Sequence, residues 1–254
     1  MAVSFSSSGA IGEITLDKPP ANSYDIEFMQ ELASAIDAAG GDHAVRVVVV
    51  RSASEKFFCA GADVKRFLAN DVDANMEMIR LAHEALASIA RTPKLFIAYI
   101  AGHALGGGLE IALACDIRYA AEGSYRLGTP EVTLGLLPGN GGTQRLPRLI
   151  GVGPALELLL TGRQVSPEEA HRLGLVSRLF ASEEEFRSHV ERLAALPPLA
   201  LSEIKRAVYE GTGRPLADGL ELERDLIEKL FRSQDATEGL SAFVEKRQPE
   251  FVGA

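Results

Sequence analysis

The sequence predicts an α/β fold with a helical C-terminal part, on three observations. β-Branched runs that suit strands alternate with stretches of helical periodicity through residues 1–197. Glycine and proline punctuate the junctions between them. From 198 to 254 the strand signals stop and charged amphipathic helices follow one another. Alternation first and helices last suits an α/β layer with a helical appendage, so the expected domains are 1–197 and 198–254.

The elements follow in order. "AIGEITL" (10–16) alternates enough for a short strand and stops ahead of Pro19 and Pro20. In "IEFMQELASAIDAAGG" (26–41), Ile26, Met29, Leu32 and Ile36 share one helical stripe, with Gly40 and Gly41 as the stop. "VRVVVVRS" (45–52) has the β-branched run of a strand buried on both faces. "FFCAGADVKRF" (57–67) reads as a turn-rich junction, and 76–93 as a helix closed by Pro93. "KLFIAYIAG" (94–102) is a second buried strand. A glycine run, a short helix and a strand in "DIRYAA" (116–121) come next. In "SPEEAHRLGLV" (166–176), Ser166 can cap a helix, Pro167 suits its first position and Glu169 completes a capping box. Gly174 ends that helix. "LPPLALSEIKRAVYEG" (196–211) and "ADGLELERDLIEKLFRSQ" (217–234) are the amphipathic helices of the C-terminal part.

Composition narrows the function. The 254 residues are 46% hydrophobic and 24% charged, with a net charge of −9. A chain of this length buries a core without staples. The acidic balance, with no basic stripe, excludes an ordinary duplex-binding protein. Cys59 and Cys115 lie in apolar stretches without metal or disulfide spacing. Inert buried thiols, no metal site and a reducing compartment are therefore expected. The first twenty residues lack a leader pattern and no apolar run reaches the length of a membrane span, so a cytoplasmic protein with no membrane partner is expected. His83 and His103 stand without triad or ligand spacing and are read as packing or solvent residues.

The chemistry concentrates in "GHALGGGLEIALACD" (102–116). A glycine run ahead of a helix suggests phosphate binding, but neither nucleotide pattern is present. No Gly-Lys-Ser/Thr follows, and Ile111 and Gln144 stand where the dinucleotide fingerprint needs its third glycine. What remains is a helix N-terminus whose first amides have no internal partner, opened by residues without Cβ. Such amides suit a developing oxyanion, and Gly107 is the candidate. Glu110 then falls in the first turn of a helix apolar on every side, which implies burial. A buried carboxylate must find partners or gain a proton; alone, it would be read as a first-turn acid favoured by the helix dipole. Glu131, set among Gly128, Pro130 and Gly135, would alone be a solvated turn acid. Two acids beside an amide pocket instead suit paired acid and base catalysis.

These stretches, "FFCAGADVKRF", "AGHALGGGLEIALACDIRYA", "LGTPEVTLGLLPGNGGTQRLPRLIG" and "EGLSAFVEKRQPEF", together resemble the enoyl-CoA hydratase/isomerase (crotonase) family, in order across nearly the whole chain. The resemblance implies a spiral of ββα units and a C-terminal helical oligomerisation domain, as a homotrimer or dimer of trimers. It places the oxyanion-hole amides on Ala62 and Gly107 and the hydratase glutamates on Glu110 and Glu131. The spacing between these acids is one residue longer than is commonest. It adds Ala60, Gly61, Asp63, Lys65, Gly106, Gly139 and Lys246 as substrate-binding positions. Lys65 and Lys246 are those that approach the phosphates of coenzyme A, the latter from a neighbouring subunit. Segment 66–83, with Phe67, Leu68, Met76, Met78 and Ile79, is a candidate acyl-tunnel wall. The implied reaction is hydration of a 2-enoyl-CoA, with coenzyme A as part of the substrate and no bound cofactor or metal. An isomerase, decarboxylase or thioester hydrolase on the same pocket is the alternative, and a non-catalytic scaffold a further one. Two stretches depart from the family pattern: "ANSYD" (21–25) and Asn140 in "PGNGG".

Overall fold

The computed structural model describes all 254 residues. Strands β1 (Val3–Ser8) and β2 (Ile11–Leu16) form an antiparallel hairpin, followed by helix α1 (Ile26–Gly41). Asp25 caps α1, its carboxylate accepting from the Phe28 amide at 3.1 Å. Next come β3 (Val47–Ser52), β4 (Phe57–Cys59), α2 (Val64–Ala69) and α3 (Val72–Arg91). The pattern repeats with β5 (Leu95–Ile100), β6 (His103–Leu105) and α4 (Gly107–Ala114). It repeats again with β7 (Ile117–Ala121), β8 (Leu127–Gly128), a 3₁₀ turn (Pro130–Leu134), α5 (Gly142–Ile150), α6 (Val152–Thr161) and α7 (Pro167–Arg172). The chain ends with β9 (Arg178–Phe180), α8 (Glu183–Ala194), α9 (Pro198–Gly211), α10 (Leu216–Phe231) and α11 (Gln234–Glu245). No helix is long and apolar enough to cross a membrane.

From β3 onward, successive strands alternate between two sheets. The larger has the order β1-β2-β3-β5-β7-β9 and the smaller β4-β6-β8, all parallel except the first hairpin. After the opening hairpin, both of whose strands join the larger sheet, each turn of the chain lays one strand in each sheet and then a helix, which is the ββα spiral. Strand β3 shows why its sequence is β-branched throughout. Val48 and Val50 enter the main core with α1, α3 and α4, while Val47 and Val49 pack on the other face with Phe186 and Val190 of α8. Burying both faces needs two apolar sides.

Several sequence expectations shift for physical reasons. The junction 57–67 contains β4 and the start of α2, because Phe57–Cys59 pairs in parallel with β6. Helix α3 begins at Val72 rather than Met76, since Asp71 caps it through the Ala74 amide at 2.8 Å. Gly40 and Gly41 lie inside α1, with Asp42 as the C-cap. Ser166 caps α7 as expected, accepting from the Glu169 amide at 3.2 Å. The Glu169 carboxylate bonds Arg163 at 2.7 Å, so its half of the capping box is diverted. Helices α5, α6 and α8 arise where no element was read, while α11 falls inside the expected helical C-terminal part. Cys59 and Cys115 are buried free thiols, each pushed up to about 12 by burial.

Helix α9 is pinned to the spiral by a buried ion pair. Lys205 Nζ lies 2.8 Å from Asp116 Oδ2 and donates to the carbonyls of Ile89 and Lys94 at 2.7 and 2.8 Å. Asp116 also accepts from the Phe96 amide at 2.7 Å and the Tyr209 hydroxyl at 2.9 Å. Burial disfavours both charges, lifting the carboxyl and lowering the ammonium, so each depends on the other. Lys205→Met leaves Asp116 buried without its counter-charge. The expected loss is about 3–5 kcal/mol of stability, read from the midpoint of urea unfolding; a change within about 0.5 kcal/mol would show that the pair does not hold α9.

Candidate active site

The three strands of the small sheet run parallel, so their C-terminal ends open on one side. β4 leads into Ala60–Gly61–Ala62, β6 into Gly106–Gly107, and β8 through Thr129 and Pro130 into Glu131. Strands of two or three residues thereby bring distant segments together. Gly108 sets the spacing, because a Cβ there would overlap the Cys59 carbonyl oxygen.

Two amides face this opening without partners in the chain. Ala62 bridges Tyr24 in parallel: the Tyr24 N–H donates to Gly61 O and the Asp63 N–H to Tyr24 O, each at 3.0 Å. The Ala62 N–H therefore points away from residue 24, towards the side where β6 has already turned into α4. Gly107 is the first residue of α4, so its amide has no intrahelical acceptor and carries the positive end of the helix dipole. The segments touch: a Cβ on Gly61 would come within 3.4 Å of the Gly107 nitrogen. Gly61 and Gly106, at φ +95° and +54°, make turns that a side chain would strain.

Both acids reach the same place. Every residue of α4 is buried, and Glu110 is 1% exposed. Its Oε1 accepts from the backbone amides of Asn140 at 2.7 Å and Gly142 at 2.6 Å. Burial raises its pKa, while these amides and the nearby Arg145 charge oppose the rise. The Glu131 carboxyl packs against Gly106, where a Cβ would sit 2.8 Å from its Oε1, and its Oε2 is buried without a partner. Burial, with a contribution from the charge of Glu110, pushes Glu131 up to about 7. The two acids thus differ: one is clasped by amides, the other has an unpartnered oxygen.

Other expected positions fall as follows. Asp63 caps α2, accepting from the Lys65 and Arg66 amides at 3.0 and 3.3 Å. Lys65 is exposed on α2, and Lys246 is exposed as the C-cap of α11 at φ +58°. Ala60 is half-buried at the exit of β4. Gly139 O bonds His83 Nε2 at 2.6 Å, joining the loop before α5 to α3. Within 66–83, Met78 is in the core, Ile79 abuts Gly139, and Leu68 and Met76 are exposed. The sequence reading singled out the stretch around Tyr24 only as a departure from the family pattern, and it missed two further groups. Tyr24 is buried with its hydroxyl against Gly107. The Gly142 amide holds Glu110. Arg145 Nη1 donates to Asn140 O at 2.8 Å. The glycine-rich "PGNGG" ahead of α5 was the visible signal for the last two.

Residues 6–254 match the family description enoyl-CoA hydratase/isomerase. A protein of Rhizobium meliloti named probable enoyl-CoA hydratase is 42% identical over 96% of this chain and 95% of its own length. The human enoyl-CoA hydratase domain-containing protein 2, mitochondrial, is also 42% identical, over 96% of this chain and 86% of its own length. A crystal structure of an enoyl-CoA hydratase from Bacillus anthracis superposes with a TM-score of 0.95 at 38% identity, covering all of both chains. The chain belongs to the enoyl-CoA hydratase/isomerase family.

The raised pKa of Glu131 makes a stability prediction. An acid with a raised native pKa binds its proton more tightly when folded. That contribution is full below the ordinary carboxylate range and is lost as pH rises through about 7. Glu131→Gln, a neutral isostere, is expected to raise the urea midpoint at pH 8 and leave it unchanged near pH 4. An equal shift at both pH values would place the cause outside the ionisation of Glu131.

Proposed function

We propose that this protein is an enoyl-CoA hydratase that adds water reversibly across the C2=C3 bond of a trans-2-enoyl-CoA, giving a 3-hydroxyacyl-CoA. The observation that carries this reading is the convergence of two unpartnered amides and two carboxyls in unlike environments at one end of the small sheet. The names of the relatives support it.

Addition of water at C3 drives negative charge onto the thioester oxygen. The amides of Ala62 and Gly107 receive that oxygen, and losing one such donor typically costs roughly 3–4 kcal/mol of barrier. Glu110, kept ionisable by the amides of Asn140 and Gly142, takes a proton from the water as its oxygen bonds C3. Glu131, protonated near neutral pH, gives its proton to C2. The two carboxyls exchange protonation states and reset through solvent; dehydration reverses each step. Lys65 and Lys246 supply positive charge for the coenzyme A phosphates. Self-association as a trimer or pair of trimers belongs to the same reading and is supported by exposed apolar side chains such as Leu136, Leu137 and Leu160.

Glu110→Gln and Glu131→Gln are each expected to lower crotonyl-CoA hydration by about 100-fold or more, with circular dichroism unchanged. The assay is loss of enone absorbance with 3-hydroxybutanoyl-CoA as product. Near-full rates in either variant would remove the two-acid scheme. A shifted double bond, carbon dioxide or free thiol as product would instead favour an isomerase, a decarboxylase or a hydrolase. In the wild type, the hydration rate should fall as pH rises through about 7, where Glu131 loses its proton.

A further inference from the structure

The side chains of Tyr24 and Asn140 sit against the catalytic groups and have no part in the scheme above. Tyr24 is 3% exposed, and its hydroxyl occupies the place a Cβ on Gly107 would take. Asn140 is 1% exposed. Its main-chain N–H donates to Glu110 Oε1, and its side-chain Nδ2 donates to the Tyr24 hydroxyl, both at 2.7 Å. Burial first, then the negative charge of Glu110, holds the phenol well above its usual pKa of 10, so it is a neutral O–H group.

The hydrogen-bonding capacity of this pair is incompletely used. As it stands, Asn140 Oδ1 is buried with no donor, and the Tyr24 hydroxyl proton has no acceptor in the chain. Turning the amide over changes which atoms are left, not the outcome: the phenol would donate to Oδ1, and the Nδ2 protons and a phenol lone pair would remain. In both arrangements at least one donor and one acceptor are left free on these two buried residues beside Glu110. Buried polar groups are normally satisfied, so a ligand group that both donates and accepts is missing. Water and a hydroxyl do both; an alkene or methyl carbon does neither.

We propose that Tyr24 and Asn140 are positioning residues that bind the oxygen at C3, as water before addition and as the 3-hydroxyl of the product. The proposal rests on the hydratase reading. Bound water gives one proton to Glu110 and the other to Asn140 Oδ1, and accepts from the Tyr24 O–H. Its one remaining lone pair faces C3. After addition the hydroxyl keeps a single proton, which stays on Asn140, and still accepts from Tyr24. Glu110 alone could remove a proton from water held in many orientations; the couple selects the one whose lone pair is aimed.

The test compares affinities for 3-hydroxybutanoyl-CoA and butanoyl-CoA by calorimetry, in a Glu131→Gln background that slows dehydration of the hydroxy thioester. The expected result is a preference of about ten-fold for the hydroxy thioester. Adding Tyr24→Phe or Asn140→Ala should cut that preference to within about two-fold while butanoyl-CoA binds as before, which also shows an intact pocket. In the wild-type background, Tyr24→Phe should lower kcat for crotonyl-CoA with KM little changed. A preference that survives both substitutions, or no preference before them, overturns the proposal. Failure of the hydratase reading looks different: wild-type protein would form no 3-hydroxy product, whatever the affinities.

Discussion

Glu110 is a carboxyl group inside an eight-residue helix whose members are all buried, and the donors it finds are main-chain amides. Meeting that need shapes much of what surrounds it. The loop before α5 must fold over α4 so that the amides of Asn140 and Gly142 both reach Oε1. Gly142 has to lack a side chain, since a Cβ there would stand 3.0 Å from that oxygen. Arg145 then secures the loop from behind through the Asn140 carbonyl. With the Asn140 backbone fixed by one hydrogen bond, its side chain is delivered to Tyr24 by another. A single desolvated acid thus organises three chain segments.

The small sheet serves this arrangement with little material. β4 and β6 have three residues each and β8 has two. Their value lies in parallel direction rather than length: all three chains leave at the same end, where amides and carbonyls run out of ladder partners. The larger sheet and the helices on both its faces supply the rigidity that such short strands lack. An unpaired amide is normally a cost of folding; here rigid surroundings hold two of them open to the pocket.

Legibility in the sequence followed the range of the interactions. The strands β2, β3, β5 and β7 were readable because each carries its own β-branched or alternating run, and α7 because Ser166, Pro167 and Gly174 mark its ends locally. Glu110 stood out because apolar neighbours on every side leave a helix no wet face. Strands β6 and β8 escaped because their pairing comes from partners far along the chain, and β4 was taken for a turn because it is three residues long and Gly61 lies just beyond its end. The start of α3 was missed although Asp71 announced it. Tyr24 and Asn140 each lay in stretches that broke the family pattern, yet no periodicity connects positions 116 residues apart.

That long separation has a consequence for how the molecule comes into being. The phenol arrives from the first helix region, the amide from the loop before α5, and between them the chain lays down three pairs of strands, β3–β4, β5–β6 and β7–β8. Closing so long a loop is worthwhile only once intervening layers have formed, so the pocket is among the last features to mature as the polypeptide collapses. A nascent chain emerging from the ribosome carries its glycine turns and its buried acid well before it has anywhere to put a substrate, and regain of turnover after dilution from denaturant should lag behind regain of helix.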